Sequence, residues 1–95
     1  MRIAELQASA LKESVRAILP HARVYLFGSR ADDTKRGGDI DVLVVGDRQL
    51  DLLERVRIKR AFYNRFGEQK IDIVSFAHED RDPFREIAEA KAILL

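Results

Sequence analysis

Three short apolar segments and one helix-length connection constrain the fold of this chain more than any other feature. The segments are residues 22–27, 39–45 and 70–76, and each contains several of the β-branched and aromatic residues that favour strands. Residues 51–66, which have helical character, separate the second segment from the third. A helical connection of about 16 residues predicts a right-handed crossover, so we expect strands two and three to be parallel neighbours.

Helices are predicted by the spacing of apolar residues and by signals at the helix ends. Apolar residues recur at helical spacing over residues 3–19. Asp51 and Glu54 resemble a capping box at the start of a helix that runs to Phe66. Gly67 follows as the predicted end. The expected buried stripe of this helix consists of Leu52, Leu53, Val56, Phe62 and Phe66.

The remaining segments complete the predicted order of elements. Residues 29–38 are polar and form either a short helix or a loop. Asp82-Pro83 begins a last helix that extends to about Ala90. Residues 92–95 fit either the end of that helix or a short edge strand. We therefore expect an α/β (α+β) fold in the order α-β-(α)-β-α-β-α, with a small mixed three-stranded sheet, flanking helices and a single domain over residues 1–95.

Composition makes several classes of function less favoured and excludes cysteine chemistry. The chain has 95 residues, of which 46% are apolar, and its 17 basic and 16 acidic residues give a net charge of +1. This near balance does not favour a nucleic-acid partner or an acidic membrane. The absence of cysteine excludes disulfides and thiolate metal sites. No apolar stretch approaches the roughly 20 residues of a membrane span, so we expect a cytoplasmic protein.

Aspartates stand near the starts of two of the predicted strands. Asp39 and Asp41 lie on one face of strand two because side chains alternate along a strand, and Asp72 opens strand three. Parallel strands would bring all three to the same edge of the sheet. Three carboxylates in one place suit two hard divalent cations such as Mg²⁺. The alternative is that these side chains are merely solvated.

A small-residue turn follows strand one. Gly28 and Ser29 would offer backbone N–H groups to a phosphate, and Arg30 lies close enough in sequence to pair with phosphate oxygens or simply to be solvated. If strand one runs antiparallel to strand two, this turn reaches the edge that carries the aspartates. A phosphate cradle beside three carboxylates is typical of phosphoryl or nucleotidyl transfer.

The segments Gly28-Ser29-Arg30-Ala31, Gly38-Asp39-Ile40-Asp41-Val42-Leu43-Val44 and Ile71-Asp72-Ile73-Val74 resemble the minimal nucleotidyltransferases of the DNA polymerase β superfamily. The resemblance covers nearly the whole chain and implies the nucleotidyltransferase fold. It implies that Gly28 and Ser29 hold the β- and γ-phosphates of ATP. It also implies that Asp39, Asp41 and Asp72 bind two Mg²⁺ ions, with Asp72 on the catalytic metal helping to activate the attacking hydroxyl.

The resemblance also implies a partner. Minimal members of the family commonly pair with helical HEPN proteins in toxin–antitoxin systems, in which the nucleotidyltransferase is the antitoxin and adenylylates a tyrosine of the HEPN toxin. We therefore expect a protein adenylyltransferase that assembles with its partner, with an acceptor-binding surface supplied by another protein. Two alternatives stay open: an antitoxin that acts by complex formation alone, and nucleotide addition to a nucleic-acid end.

The helix predicted over residues 51–66 is basic, and the sequence alone leaves the role of its basic side chains open. Its five cations are Arg55, Arg57, Lys59, Arg60 and Arg65. Such residues solvate a helix face in most proteins, and they also suit a partner surface or a nucleic-acid contact.

Overall fold

The computed structural model describes residues 5–27 and 40–95. The described elements are α1 (Glu5–Ile18), β1 (Arg23–Phe27), β2 (Ile40–Gly46), α2 (Leu52–Phe66), β3 (Ile71–Ala77), α3 (Pro83–Lys91) and β4 (Ile93–Leu94). The predicted short helix or loop at 29–38 lies outside the described residues.

The strands form one mixed sheet in the order β3-β2-β1-β4. β2 and β3 are parallel, which confirms the predicted crossover pairing. β1 is antiparallel to β2, the arrangement under which the turn after β1 reaches the edge that carries the aspartates. The sheet has a fourth strand in addition to the three expected, in the segment for which the sequence left a helix end and a short edge strand open. β4 pairs with β1 over two residue pairs, and the N–H of Leu95 donates to the carbonyl of Val24 at 2.8 Å. A strand of two residues is too short to show the alternation that identifies strands in a sequence.

The sheet is covered on both faces. On one face α1 and α2 pack over the even-numbered side chains of β1 and β2 in a core that includes Leu11, Val15, Val42, Ile58 and Phe62. On the other face the Ala88 side chain of α3 packs against Leu43, Val45 and Phe76. The alternation predicted for β2 is therefore correct: Val42 and Val44 face α1 and α2, whereas Asp41 lies on the face of α3.

The ends of α2 follow the predicted signals. Asp51 caps the helix by accepting from the N–H of Glu54 at 2.8 Å, and the Glu54 carboxylate accepts from the N–H of Asp51 at 2.9 Å. Gly67 follows the last residue with φ of 89°, a conformation that favours glycine. The start of α3 also matches the prediction, because Asp82 accepts from the N–H of Phe84 at 2.8 Å.

The prediction of the buried stripe of α2 was wrong for the three residues nearest the start of the helix. Leu52, Leu53 and Val56 are 67%, 75% and 40% exposed, whereas Ile58 and Phe62 are buried. Apolar residues on α2 fit two stripes at helical spacing, and only the stripe that contains Ile58 and Phe62 faces α1 and the sheet. The other stripe faces outward.

Across the described ranges, 5–27 and 40–95, every helix falls short of the length and apolar character that crossing a bilayer would require.

Candidate active site

Asp41 lies one residue inside the start of β2. Its neighbours Ile40 and Val42 are buried, and Asp41 alone among the seven residues of β2 is not fully buried. An aspartate at a half-buried strand position is unfavourable for folding, since its carboxylate loses part of its hydration. A position that folding disfavours is a reason to look for a functional role.

Asp72 is the register partner of Asp41. The two residues are paired across the parallel strands β2 and β3. Adjacent strands lie about 4.8 Å apart, and paired residues project to the same face of the sheet. Asp72 itself is exposed, between the buried residues Ile71 and Ile73. The fold therefore brings these two predicted carboxylates together on one face, at the edge where β2 and β3 begin.

The end of β1 lies beside this carboxylate pair. Phe27, the last residue of β1, is the register partner of Asp41 on the opposite side from Asp72. The next residues in the sequence are Gly28 and Ser29. Three neighbouring strands thus align Phe27, Asp41 and Asp72 in one row across the sheet. The sequence did not single out Phe27, because a strand-terminal aromatic residue carries no chemical signature of a site.

Two features fix the geometry of this edge. The N–H of Ile40 donates to the carbonyl of Lys70 at 2.9 Å, which sets the register of β2 and β3 directly before the two aspartates. The ring of Phe27 meets that of Phe84 on α3 edge to face, with 6.0 Å between centroids. Offset contacts of this kind favour one arrangement of the rings. The backbone hydrogen bond between β2 and β3 therefore fixes the position of Asp41 and Asp72, and the contact with α3 fixes the ring of Phe27.

Four of the predicted site residues, Gly28, Ser29, Arg30 and Asp39, lie outside the described residues. Within residues 5–27 and 40–95, no group of three or more histidine, cysteine, aspartate or glutamate side chains is arranged to hold a metal ion. The two paired carboxylates Asp41 and Asp72 are oxygen donors of the type that Mg²⁺ prefers. They fit part of the predicted ligand set, and Asp39 would have to complete it.

The carboxylates with lowered pKa lie at the other end of the sheet. Hydrogen bonds from the Arg48 side chain, and secondarily from the N–H of Asp51, lower the pKa of Glu54 to about 2. Both bonds from Arg48 measure 2.7 Å. Hydrogen bonds from Gln49, and secondarily from the N–H of Ala77, lower the pKa of Asp80. These groups organise the loops that follow β2 and β3.

The loop after β3 contains a second structural cluster that sequence reasoning missed. The Arg85 guanidinium donates to the carbonyls of Ala77, His78 and Asp80 at 3.1, 2.8 and 2.7 Å. These bonds tie the start of α3 to the end of β3, away from the paired aspartates. An arginine on the first turn of a helix was the available signal, and it does not distinguish such a role from solvation.

Comparison with known proteins identifies the family of the chain. The family model described as polymerase beta, nucleotidyltransferase matches residues 11–95. The chain belongs to the polymerase β nucleotidyltransferase family. Among curated proteins it is similar to the probable protein adenylyltransferase MntA of Haemophilus influenzae, with 30% identity over 82 residues that cover 85% of this chain and 71% of the relative.

Family membership confirms the resemblance seen in the sequence. This nucleotidyltransferase has the mixed α+β architecture expected from the order of its elements, with a fourth short strand in addition. The individual roles of Gly28, Ser29, Arg30, Asp39, Asp41 and Asp72 stay predictions.

Proposed function

We propose that this nucleotidyltransferase transfers AMP from ATP to a hydroxyl of a partner protein in a Mg²⁺-dependent reaction. The acceptor is a tyrosine of a HEPN-type toxin, and the chain acts as the antitoxin in the cytoplasm. The single observation that carries the proposal is the register pairing of Asp41 with Asp72 in a chain of this family.

The row across the sheet suits an in-line displacement. Gly28 and Ser29, next in sequence to the end of β1, would hold the departing pyrophosphate. Asp41 on β2 would face the α-phosphate, and Asp72 on β3 would face the incoming hydroxyl. The hydroxyl oxygen forms a bond to the α-phosphorus while the bond to the β-phosphate oxygen breaks. The hydroxyl proton passes to the Asp72 carboxylate and from there to water.

Metal ions complete the charge balance. Asp39, Asp41 and Asp72 would hold two Mg²⁺ ions, which supply neutralisation of the triphosphate charge when they are bound. The protein's own contribution is to position the carboxylates on adjacent strands and to leave Asp72 accessible. An exposed carboxylate at the open side of the row suits a reaction whose acceptor is a bulky protein.

A protein acceptor is supported by the MntA relative, whose name describes a probable protein adenylyltransferase. The net charge of +1 supports it further, because binding to nucleic acid depends on neutralising many phosphates with basic side chains. The HEPN partner and the tyrosine target rest on the resemblance to minimal family members.

Incubation with [α-³²P]ATP, Mg²⁺ and a HEPN-type protein from the same genome tests the proposal. We expect radioactivity on a tyrosine of the HEPN protein, and no transfer when EDTA replaces Mg²⁺. Label on an RNA or DNA end would instead support nucleotide addition to nucleic acid. Inhibition of the toxin with no transferred label would support an antitoxin that acts by complex formation alone.

A further inference from the structure

The first half of α2 exposes large apolar side chains to solvent, where burial against another element would be more favourable. Leu52, Leu53 and Val56 are exposed on the side of α2 away from Ile58 and Phe62. At 3.6 residues per turn, Arg57 and Arg60 continue the same side of the helix, and the half-buried Tyr63 borders it. We call this surface the apolar–basic face; its residues are Leu52, Leu53, Val56, Arg57, Arg60 and Tyr63.

The charge of this face has one sign. α2 has five cationic side chains, and Glu54 is its single acid. That acid is engaged by Arg48, whose two terminal nitrogens each contact a Glu54 carboxylate oxygen at 2.7 Å. Arg57 and Arg60 are exposed, and the one acid of α2, Glu54, is bound by Arg48 and also attracts Arg57. A partner that buries this face must therefore bring negative charge as well as apolar surface.

We propose that the apolar–basic face docks an acidic amphipathic helix of the acceptor protein. The inference rests on the proposed function, since the acceptor is the HEPN-type protein of that proposal. Exposed apolar residues at positions i, i+1 and i+4 match the stripe of an amphipathic partner helix. Arginines beside the stripe match acidic residues at the edge of that helix.

The charge and the apolar residues of the face favour an acidic amphipathic helix over a second copy of the chain and over a nucleic acid. A second copy of the chain would bring the arginines of two equivalent faces close together, and like charges across an interface are unfavourable. A nucleic acid would satisfy Arg57 and Arg60, yet it would leave Leu52 and Leu53 against a polar backbone. An acidic amphipathic helix satisfies both parts of the face.

The position of the face determines its effect on catalysis. α2 packs on the face of the sheet that carries Val42 and Val44, whereas Asp41 and Asp72 project from the opposite face, on the side of α3. A protein held there does not contact the carboxylate pair through the docked helix. The face therefore contributes to acceptor affinity, and its loss raises the KM for the acceptor protein with little change in kcat.

Two variants with matched controls test the proposal. Leu53→Asp places a charge in the apolar part, and Arg57→Glu with Arg60→Glu reverses the basic part. Leu6→Asp on α1 is the apolar control, because Leu6 is 64% exposed, and Lys91→Glu on α3 is the basic control. The measurements are the Kd for the HEPN-type protein, the kinetics of labelling with [α-³²P]ATP, the Kd for Mg·ATP, and circular dichroism to verify folding.

We expect each variant of the face to weaken binding of the HEPN-type protein about tenfold or more, the scale of a central interface residue. The KM for the acceptor should rise in parallel, while the affinity for Mg·ATP and both controls stay normal. In the charge-reversal variant added salt should strengthen the remaining binding, because it screens the new repulsion between the two glutamates and the acidic helix.

Four outcomes would overturn the inference. Normal acceptor affinity in folded Leu53→Asp would leave the proposed function intact and refute the docking surface. A wild-type dimer that dissociates on this substitution would assign the face to a second copy. Binding of RNA that is lost in the arginine variant but retained in Leu53→Asp would assign it to nucleic acid. If the wild-type chain neither binds nor labels the HEPN-type protein, the proposed acceptor fails and the docking proposal fails with it.

Discussion

Asp41 and Asp72 are paired in register on the adjacent parallel strands β2 and β3, although the whole of α2 separates them in the sequence. The pairing places two carboxylates on one face of the sheet, next to the end of β1. Like charges directly opposite one another destabilise a sheet. An arrangement that costs stability is a reason to expect that these two carboxylates have a function.

Replacement of Asp72 separates catalysis from binding. In Asp72→Asn we expect much of the affinity for Mg·ATP to remain, while AMP transfer falls by about 10² or more, because an amide does not accept the hydroxyl proton. Transfer of label from [α-³²P]ATP and inhibition of the partner toxin are measured on the same variant. Full transfer would refute the catalytic role of Asp72. Full protection of the partner without transfer would favour an antitoxin that acts by binding alone.

Replacement of Asp41 tests the proposed metal site. Asp41→Asn preserves the shape of the side chain and removes the charge that would compensate a dication. We expect a large loss of Mg²⁺-dependent ATP binding with the fold retained, as measured by titration calorimetry and circular dichroism. An unchanged affinity for Mg·ATP would show that the nucleotide binds elsewhere.

The repulsion between the paired carboxylates should also lower the free energy of unfolding of the protein without ligands. We expect Asp72→Asn to raise the free energy of unfolding by about 0.2–1 kcal/mol, since it removes one member of a like-charged cross-strand pair. Urea unfolding at neutral pH measures the gain. Screening by about 1 M NaCl, which shortens the Debye length to roughly 3 Å, should reduce the difference. A variant less stable than the wild type at both salt concentrations would contradict this account.

The proposed phosphate turn should tolerate little bulk. Glycine permits close approach of the backbone to a ligand, and a β-branched side chain at the same position would obstruct it. We expect Gly28→Val to weaken binding of ATP more than it lowers the melting temperature, and to weaken binding of inorganic triphosphate in the same proportion. Normal affinity for both ligands would return Gly28 to the status of an ordinary turn residue.

The Arg48–Glu54 contact should make α2 sensitive to acid. The pKa of Glu54 is lowered from its ordinary 4.5 to about 2, so its contribution to stability is complete above about pH 4.5. It is lost as the pH falls towards 2. We expect Glu54→Gln to have a lower melting temperature than the wild type at pH 6, and this difference to disappear as the pH approaches 2. A difference independent of pH would mean that ionisation of Glu54 does not contribute.

Local signals in the sequence were sufficient for most of the fold. The predictions include the capping box of Asp51 and Glu54, the start of α3 at Asp82 and the alternation along β2. Each of these features depends on residues that are only a few positions apart in the sequence. The parallel pairing of β2 and β3 was predicted as well, since a crossover helix permits few other arrangements. The fourth strand was left undecided because its pairing with β1 involves a two-residue segment.

The exposed stripe of α2 shows that helical periodicity does not predict which side of a helix is buried. Leu52 and Val56 repeat at helical spacing as well as Ile58 and Phe62 do. Spacing identifies residues that share a side of a helix, and it does not identify which side the rest of the molecule covers. The packing of α2 against α1 buries the second pair and leaves the first exposed.

The sequence by itself determined the elements, their ends and the residue types available for chemistry, since these follow from local backbone preferences and from alternation along strands. Only the tertiary structure decided that Asp41 stands between Phe27 and Asp72, and that Leu52, Leu53 and Val56 remain in solvent. The physical reason is the same in both cases. Register and burial depend on contacts between segments distant in the chain, and these contacts exist only once the sheet and its covering helices have assembled.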